Sequence, residues 1–458
     1  MGSALALALA LIAPSAQALD LMEAWRAALA HDPAYAAARA MRDAGATQDR
    51  QAGALWRPSV ALQAGAGLAN ADSNTRGAHF SAPGFGSTNN VAFDTSINSG
   101  TLTSAGVELR QPLFDRGRDA QAEQLRIGTQ QSALAWDDAQ AELMLRTTQS
   151  YFDLALAGEQ LRLIERQLEA VTRAQTEAQD RFKLGDKPIT DVHEATARAD
   201  ALRAQQLAAQ AQLELRQAAL ADLTGLPPTN ATALALPTRL PDAEDVGELS
   251  AWLARVTEHA PMMLAAQLKL RNAEQEASKT KLDISPTVDL VARAGYDRLA
   301  GSGDYGNSAL NRQTQSMVGI QISVPLDVGG GRSARHDQAV AGIEQAKSEL
   351  NYARQDAARQ ARAAWLGLSV GSSQVNALAA AAKASQSRLD ATRTGVEAGE
   401  RTTLDLLNAE NDAAAAELAL AQARVQVQLD GLRLARLAGA LDEARLQRLD
   451  TALKAGAR

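Results

Sequence analysis

The sequence predicts an α+β membrane protein, internally repeated, in which long α-helical coiled-coil hairpins follow pairs of transmembrane β-strands, four strands in all. Three observations carry this. The chain is written twice: His31-Asp32-Pro33 returns as His259-Ala260-Pro261, Trp56-Arg57-Pro58-Ser59-Val60 as Asp283-Ile284-Ser285-Pro286-Thr287-Val288, GDKPITDV (185 to 192) as GERTTLDL (399 to 406), and LADLTG (220 to 225) as LARLAG (434 to 439). From about Arg118 to Phe182 there is no proline, and the only glycines are Gly128 and Gly158. The counterpart from about Arg332 to Val396 is equally long, and at 1.5 Å per residue each helix reaches on the order of 100 Å, more than a compact domain needs. Finally, four segments alternate apolar and polar residues over about ten positions, the pattern of barrel strands with one face toward lipid.

In chain order, residues 4 to 13 form an apolar run too short to span a bilayer and are followed by Ala16-Gln17-Ala18. This predicts a secretory signal peptide over 1–18, with Leu19 the first mature residue. Residues 20 to 55 carry apolar side chains at helical spacing (Leu21, Trp25, Ala28, Leu29, Tyr35), and Pro58 ends the run. The strand at 59 to 68 sets Val60, Leu62, Ala64, Ala66 and Leu68 against Ser59, Gln63, Gly65 and Gly67; its partner is 103 to 110. The strand at 287 to 297 sets Val288, Leu290, Ala292, Ala294 and Tyr296 against Thr287, Asp289, Arg293 and Asp297, with 316 to 324 as partner. The same period suits a half-buried soluble sheet, but four strands close no barrel without partner chains.

The polar segments 71 to 100 and 299 to 312 read as loops outside the membrane. Each strand pair returns to a helix through a proline turn, Gln111-Pro112 to Gly117 and Val324-Pro325 to Gly329. Each long helix stops at Gly185-Asp186-Lys187-Pro188 or Gly399-Glu400-Arg401-Thr402, and a second helix returns along it. Ala-rich seams (208 to 221, 413 to 423) let the backbones approach closely. The expected organisation is a first repeat over 19–228 (strand pair 59–111, hairpin 118–225), a linker over 229–248, a second repeat over 249–441 (strand pair 287–325, hairpin 332–439) and a tail over 442–458.

Composition narrows the function. The 458 residues carry a net charge of -7, with Lys and Arg scattered among acids, so there is no nucleic-acid footprint. Aromatic residues make up 3% of the chain, which suits thin helical packing better than a thick core. Cysteine is absent, which excludes disulfides, thiolate metal sites and a lipid-modified N-terminal Cys. Gly329-Gly330-Gly331-Arg332-Ser333 lacks the Lys and spacing of a phosphate loop, and His193-Glu194 has Ala197 where a zinc helix needs its second His. The five histidines never sit at ligand spacing. The expectation is a protein without catalytic residues, cofactor or metal.

The internal repeat, the two proline turns and the two helix breaks together make the chain resemble the TolC family of outer-membrane efflux channels over its mature length. The resemblance implies a homotrimer in the outer membrane of a Gram-negative bacterium: a shared β-barrel of four strands per protomer, continued as an α-helical tunnel across the periplasm. It implies a passive exit duct recruited by a periplasmic adaptor and an inner-membrane transporter. Lacking a lipidated N-terminus, the chain fits the type I secretion branch, with small-molecule efflux the alternative. A periplasmic structural or adaptor coiled coil is the alternative of another class.

The resemblance also implies an entrance held by polar links near the helix breaks. Thr190 and Asp191 match one side of those links, Arg401 the other, and Asp405 the position whose three copies ring the pore. Val396 stands where well-known members carry a linking Tyr, and Asn408 where they carry a second ring of Asp, implying a looser latch. Read from the residues alone, the matched positions also suit helix capping. The tips, Gly185, Lys187, Gly399 and Glu400, are the expected adaptor-docking points.

Overall fold

The structure, a computed structural model, describes residues 19–186, 188–227, 234–238, 247–282, 284–304, 306–326 and 329–456. The expected signal peptide, most of the expected linker and Lys187 lie outside the described residues. The elements are α1 (Leu21–His31), α2 (Pro33–Ala54), β1 (Ser59–Ala82), β2 (Gly86–Phe114), α3 (Arg116–Lys183), α4 (Ile189–Thr224), α5 (Leu249–His259), α6 (Pro261–Leu282), β3 (Thr287–Gly303), β4 (Gly306–Ser323), α7 (Gly331–Glu397), α8 (Thr403–Leu437) and α9 (Glu443–Gly456). They fall into two compact units. One comprises Ala46–Gln130 and Lys269–Ala346; the other runs up to Gly45 and includes Gln131–Leu268 and Lys347–Arg458.

The first unit holds one antiparallel sheet in the order β1-β2-β3-β4. Its register joins Val60, Leu109, Ala292 and Val318 in one row and Ala61, Glu108, Arg293 and Met317 in the next. Because side chains alternate along each strand, the apolar rows share one face and the charged rows the other. Val60, Leu62, Val318, Ile320 and Ile322 are each more than 60% exposed. Leu290 pairs directly with Ile320 on this face.

The strands are longer than the alternation predicts. The segments 71–100 and 299–312, expected as loops, belong mostly to β1–β2 and β3–β4. Ladder hydrogen bonds come from the backbone, so Asn, Ser and Thr do not prevent pairing, and cross-strand contacts such as the Phe80 and Phe93 rings, 5.8 Å apart, add support. These polar stretches present no apolar face, so no residue period marks them as strands.

The helical unit also departs from expectation at its start. Residues 20 to 55 form two helices, broken where the Asp32 side chain accepts the Tyr35 N–H at 2.6 Å and Pro33 takes the first helical position. Asp32 is buried and paired with Arg146 at 2.8 Å. The repeat is legible in contacts: the His31 ring lies over Gly225, and His259 lies over Gly439 at the end of the second hairpin. A Cβ on Gly225 would come within 2.6 Å of His31 Nδ1, and one on Gly439 within 3.0 Å of the His259 carbonyl, so each helix end needs a glycine for close approach.

Two cores follow the same logic. Leu21, Trp25, Leu143, Phe152 and Leu446 pack one; Trp252, Met263, Ala357, Leu368 and Leu434 pack the other. The expected C-terminal tail is largely helix α9, whose Leu446, Leu449 and Leu453 complete the first core. It clamps the start of α1: Asp450 accepts the Leu21 N–H at 3.1 Å, and Lys454 bonds Asp20 and Asp450, each at 2.7 Å. Those bonds, from Asp20 first, push the Lys454 ammonium up to about 12.

Candidate functional site

At the first tip, Gly185 takes φ 79° and the Asp186 N–H reaches the Arg181 carbonyl at 2.9 Å. At the second, Gly399 takes φ 77° and the Glu400 N–H reaches the Gly395 carbonyl at 2.8 Å. Both are the six-to-one closure that ends a helix on a left-handed residue, so the two breaks stop their helices by one device. The Arg401 stem folds over Gly395, where a Cβ would come within 2.8 Å of its Cγ.

The restarts differ. Pro188 precedes α4 with no side-chain cap, whereas Thr402 and Asp405 form a capping box at the start of α8. Asp405 Oδ2 accepts the Thr402 N–H at 3.0 Å, and Thr402 Oγ1 accepts the Asp405 N–H at 3.1 Å. The bond from the Thr402 backbone, then that from its hydroxyl, then the Arg401 charge, hold the Asp405 carboxyl below the usual carboxylate range.

Of the residues matched by resemblance, Asp191 and the foot of α8 come together. Asp191, Glu194, Thr402, Leu404 and Leu407 line a cavity of about 150 Å³. Thr190 and Arg401 are exposed at their own tips and do not line it. Val396 is half-buried and Asn408 exposed. The two hairpins also meet through Val171, Ala174, Ala199 and Leu202 packed with Leu407.

Sequence reasoning missed the charged seam above the tips. Arg162 and Arg166 on α3 reach Glu417 on α8 at 3.2 and 2.8 Å, and Arg393 on α7 lies 3.7 Å from Glu410 on α8. Arg166, Arg393, Glu410 and Glu417 line a cavity of about 320 Å³ together with Glu169 and Arg173. Burial pushes the Glu410 carboxyl up, against the pull of Arg393 and Arg173. Charges scattered along α3 carry no signal of a partner some 250 residues away in sequence.

The charged face of the sheet carries its own bonded pairs. Arg110 bonds the buried Asp289, Arg293 bonds Glu108 at 3.0 Å, and Gln315 bonds Asp297 at 3.3 Å. Among the described residues no helix is long and apolar enough to cross a membrane, and no group of His, Asp and Glu is placed to hold a metal.

A sheet exposing aliphatic side chains on one face and ion pairs on the other, in a chain that also forms paired long helices, is the pattern of a membrane channel subunit. The chain belongs to the outer membrane efflux protein family, whose model matches residues 24–226 and 252–440. It is 28% identical over 447 residues to the proteases secretion protein PrtF of Dickeya chrysanthemi, covering 97% of this chain and 93% of that one. It is 27% identical over 445 residues to the outer membrane protein TolC of Escherichia coli, covering 95% of this chain and 85% of that one.

Among solved structures, the outer membrane protein VceC of Vibrio cholerae superposes with TM-score 0.71 at 20% identity, covering 92% of this chain and 97% of that one. The CmeC outer membrane channel of Campylobacter jejuni superposes with TM-score 0.72 at 16% identity, covering 95% of this chain and 89% of that one. The protein is an outer-membrane exit duct for secretion, efflux or both, and it extends into the periplasm. Channels of this family are trimeric and work with adaptors and inner-membrane transporters.

Proposed function

We propose that the chain forms a homotrimeric exit duct of a type I protein secretion system, opened when a periplasmic adaptor and an inner-membrane transporter recruit it. The observation that carries this reading is the similarity to PrtF along nearly the whole of both chains, supported by 26% identity over 456 residues to the alkaline protease secretion protein AprF of Pseudomonas aeruginosa. Small-molecule efflux is the second reading, favoured by 29% identity over 347 residues to the outer membrane efflux protein BepC of Brucella suis. Deleting the gene and assaying both phenotypes separates them: loss of a secreted protein from the medium supports the first, and drug sensitivity alone the second.

In this reading the tips at Gly185, Lys187, Gly399 and Glu400 dock the adaptor, and Thr190, Asp191 and Arg401 hold the closed entrance while Asp405 rings it. A guanidinium bonds carboxylate and hydroxyl together yet remains breakable, as a gate requires. Cysteines at Lys187 or Glu400 are expected to crosslink to the adaptor in cells; crosslinks only from 71 to 100 would reverse the orientation. Membrane assembly is tested on the sheet. Leu290→Arg places a charge on the apolar face at a cost of about 2 to 4 kcal/mol and is expected to deplete heat-modifiable trimers, whereas Arg293→Leu leaves most of them. A soluble periplasmic monomer in cell fractions would instead support a structural coiled coil.

A further inference from the structure

The two β-hairpins of the sheet are unequal. β3 and β4 have 17 and 18 residues, whereas β1 and β2 have 24 and 29. The β2–β3 ladder ends at Ser99 and Ser302, so β1 and β2 continue from about 71 to 98 as a two-stranded ribbon with no third strand among the described residues. An isolated ribbon of this kind is marginally stable by itself and moves about whatever holds its base.

The base is bent to one side, and the glycines report which. Gly100 and Gly301 pair with each other and stand an even number of residues from Leu102, Glu108, Arg293 and Leu299 of the charged face, and Gly303 lies two residues past Gly301. A Cβ on Gly301 would overlap the Ser99 carbonyl, and one on Gly303 would overlap the Ser96 carbonyl. In an ordinary ladder a Cβ stands clear of the neighbouring strand. Here the backbone of β2 lies where those side chains would project. Ser96 would face a position beyond 303 if the register simply continued, so β2 crosses back over the end of β3 on its charged face.

Side chains hold the bend. Ile97 and Leu299 are 5% and 6% exposed, and both reach into the slot that the missing side chain of Gly100 leaves open. The Asp304 N–H donates to Ser96 Oγ at 2.9 Å, and Asn98 donates to the Asp304 carboxylate. Beyond this latch the ribbon is mostly exposed and polar, with Phe85 at its tip 88% exposed.

We propose that residues 71–98 form a lid over the outer end of the channel, leaning onto the inner face of the sheet and latched there by Ile97 against Leu299 and by Asp304 against Ser96 and Asn98. The inference rests on assigning the charged face to the lumen, and the test separates the two. The chain has no cysteine, so Gln63→Cys, on the charged face, is the sole thiol reporter. Whole cells are treated from outside with a small charged maleimide and with a bulky polymer-linked one.

With the lid latched, the small reagent labels and the bulky one lags. Ile97→Ser is expected to speed bulky labelling by roughly tenfold, the change in an opening equilibrium when one buried aliphatic contact is lost, with little effect on the small reagent. Asp304→Ala, at an exposed position, is the second release variant and guards against misfolding of the first. In a chain without the reporter, Asn98→Cys with Asp304→Cys is expected to form a disulfide readily. Equal bulky labelling with and without the latch in intact trimers, or no disulfide, overturns the lid. Failure of the small reagent in every background instead overturns the lumen assignment beneath it.

Discussion

The two hairpin tips stop their helices identically and restart them differently. Both use a left-handed glycine with a six-to-one bond, at Gly185 and at Gly399. After the first, Pro188 leads into α4 without a side-chain cap, and Phe182, Leu184 and Ile189 stand exposed. After the second, Thr402 and Asp405 cap α8, with Glu397, Glu400 and Arg401 exposed around the turn. The first tip therefore adds exposed apolar side chains to its charged Lys183 and Asp186 and restarts without a side-chain cap, whereas the second restarts tied down. If an entrance opens by moving one hairpin against the other, the tied hairpin keeps its shape and the contacts between hairpins yield.

The largest test of that contrast breaks the proposed latch across the tips. Exposed ion pairs are worth about 0 to 1 kcal/mol each, but a trimer holds three symmetric copies that act together. Asp191→Ala with Arg401→Ser is expected to shift a closed-to-open equilibrium by a few kcal/mol in total and to raise single-channel conductance in planar bilayers. Unchanged conductance with intact trimers would leave these residues as helix-end groups only.

The shared stop and the unequal restart differ in their expected sensitivity. Gly185→Ala and Gly399→Ala are each expected to cost about 1 kcal/mol, because both positions need a positive φ; thermal melting of the trimer reads the loss, and a cost at one tip alone would break the equivalence. Thr402→Ala is expected to cost about 1 kcal/mol through the lost cap and to speed amide exchange in the first turn of α8. Thr190→Ala, at a tip without a side-chain cap, is expected to change exchange in α4 little.

The smallest effects are in pH. The Asp405 carboxyl is held below its ordinary value, so the cap contributes fully above that value and is lost as pH falls through the lowered one. Exchange in the first turn of α8 should therefore accelerate only in acid, below the ordinary Asp range, and Asp405→Asn should remove the dependence. Glu410 has the opposite sign. Its raised carboxyl favours the structure below the ordinary Glu range and loses that contribution as pH rises through the raised value. Glu410→Gln is expected to steady the seam at neutral pH, read as slower exchange on α8 near 410; faster exchange would show that the pair with Arg393 outweighs burial.

The sequence by itself determined what is local or periodic. Helix stops at Gly185 and Gly399, the lipid-type face through Leu290 and Ile320, and the repeat of His31-Asp32-Pro33 as His259-Ala260-Pro261 all follow from short-range backbone chemistry or from residue spacing. The family resemblance, rather than the residues alone, brought Asp191 to notice, which the fold sets beside Thr402. Only the tertiary structure decided the rest. Strands β1 and β2 run on through polar residues because pairing is made by the backbone, which leaves no hydrophobic period to read. The seam of Arg162, Arg166 and Glu417, and the bend that sets Ile97 on Leu299, join residues some 200 or more positions apart. Such pairs depend on which surfaces meet after the chain has folded, and a side chain's own identity does not specify its partner.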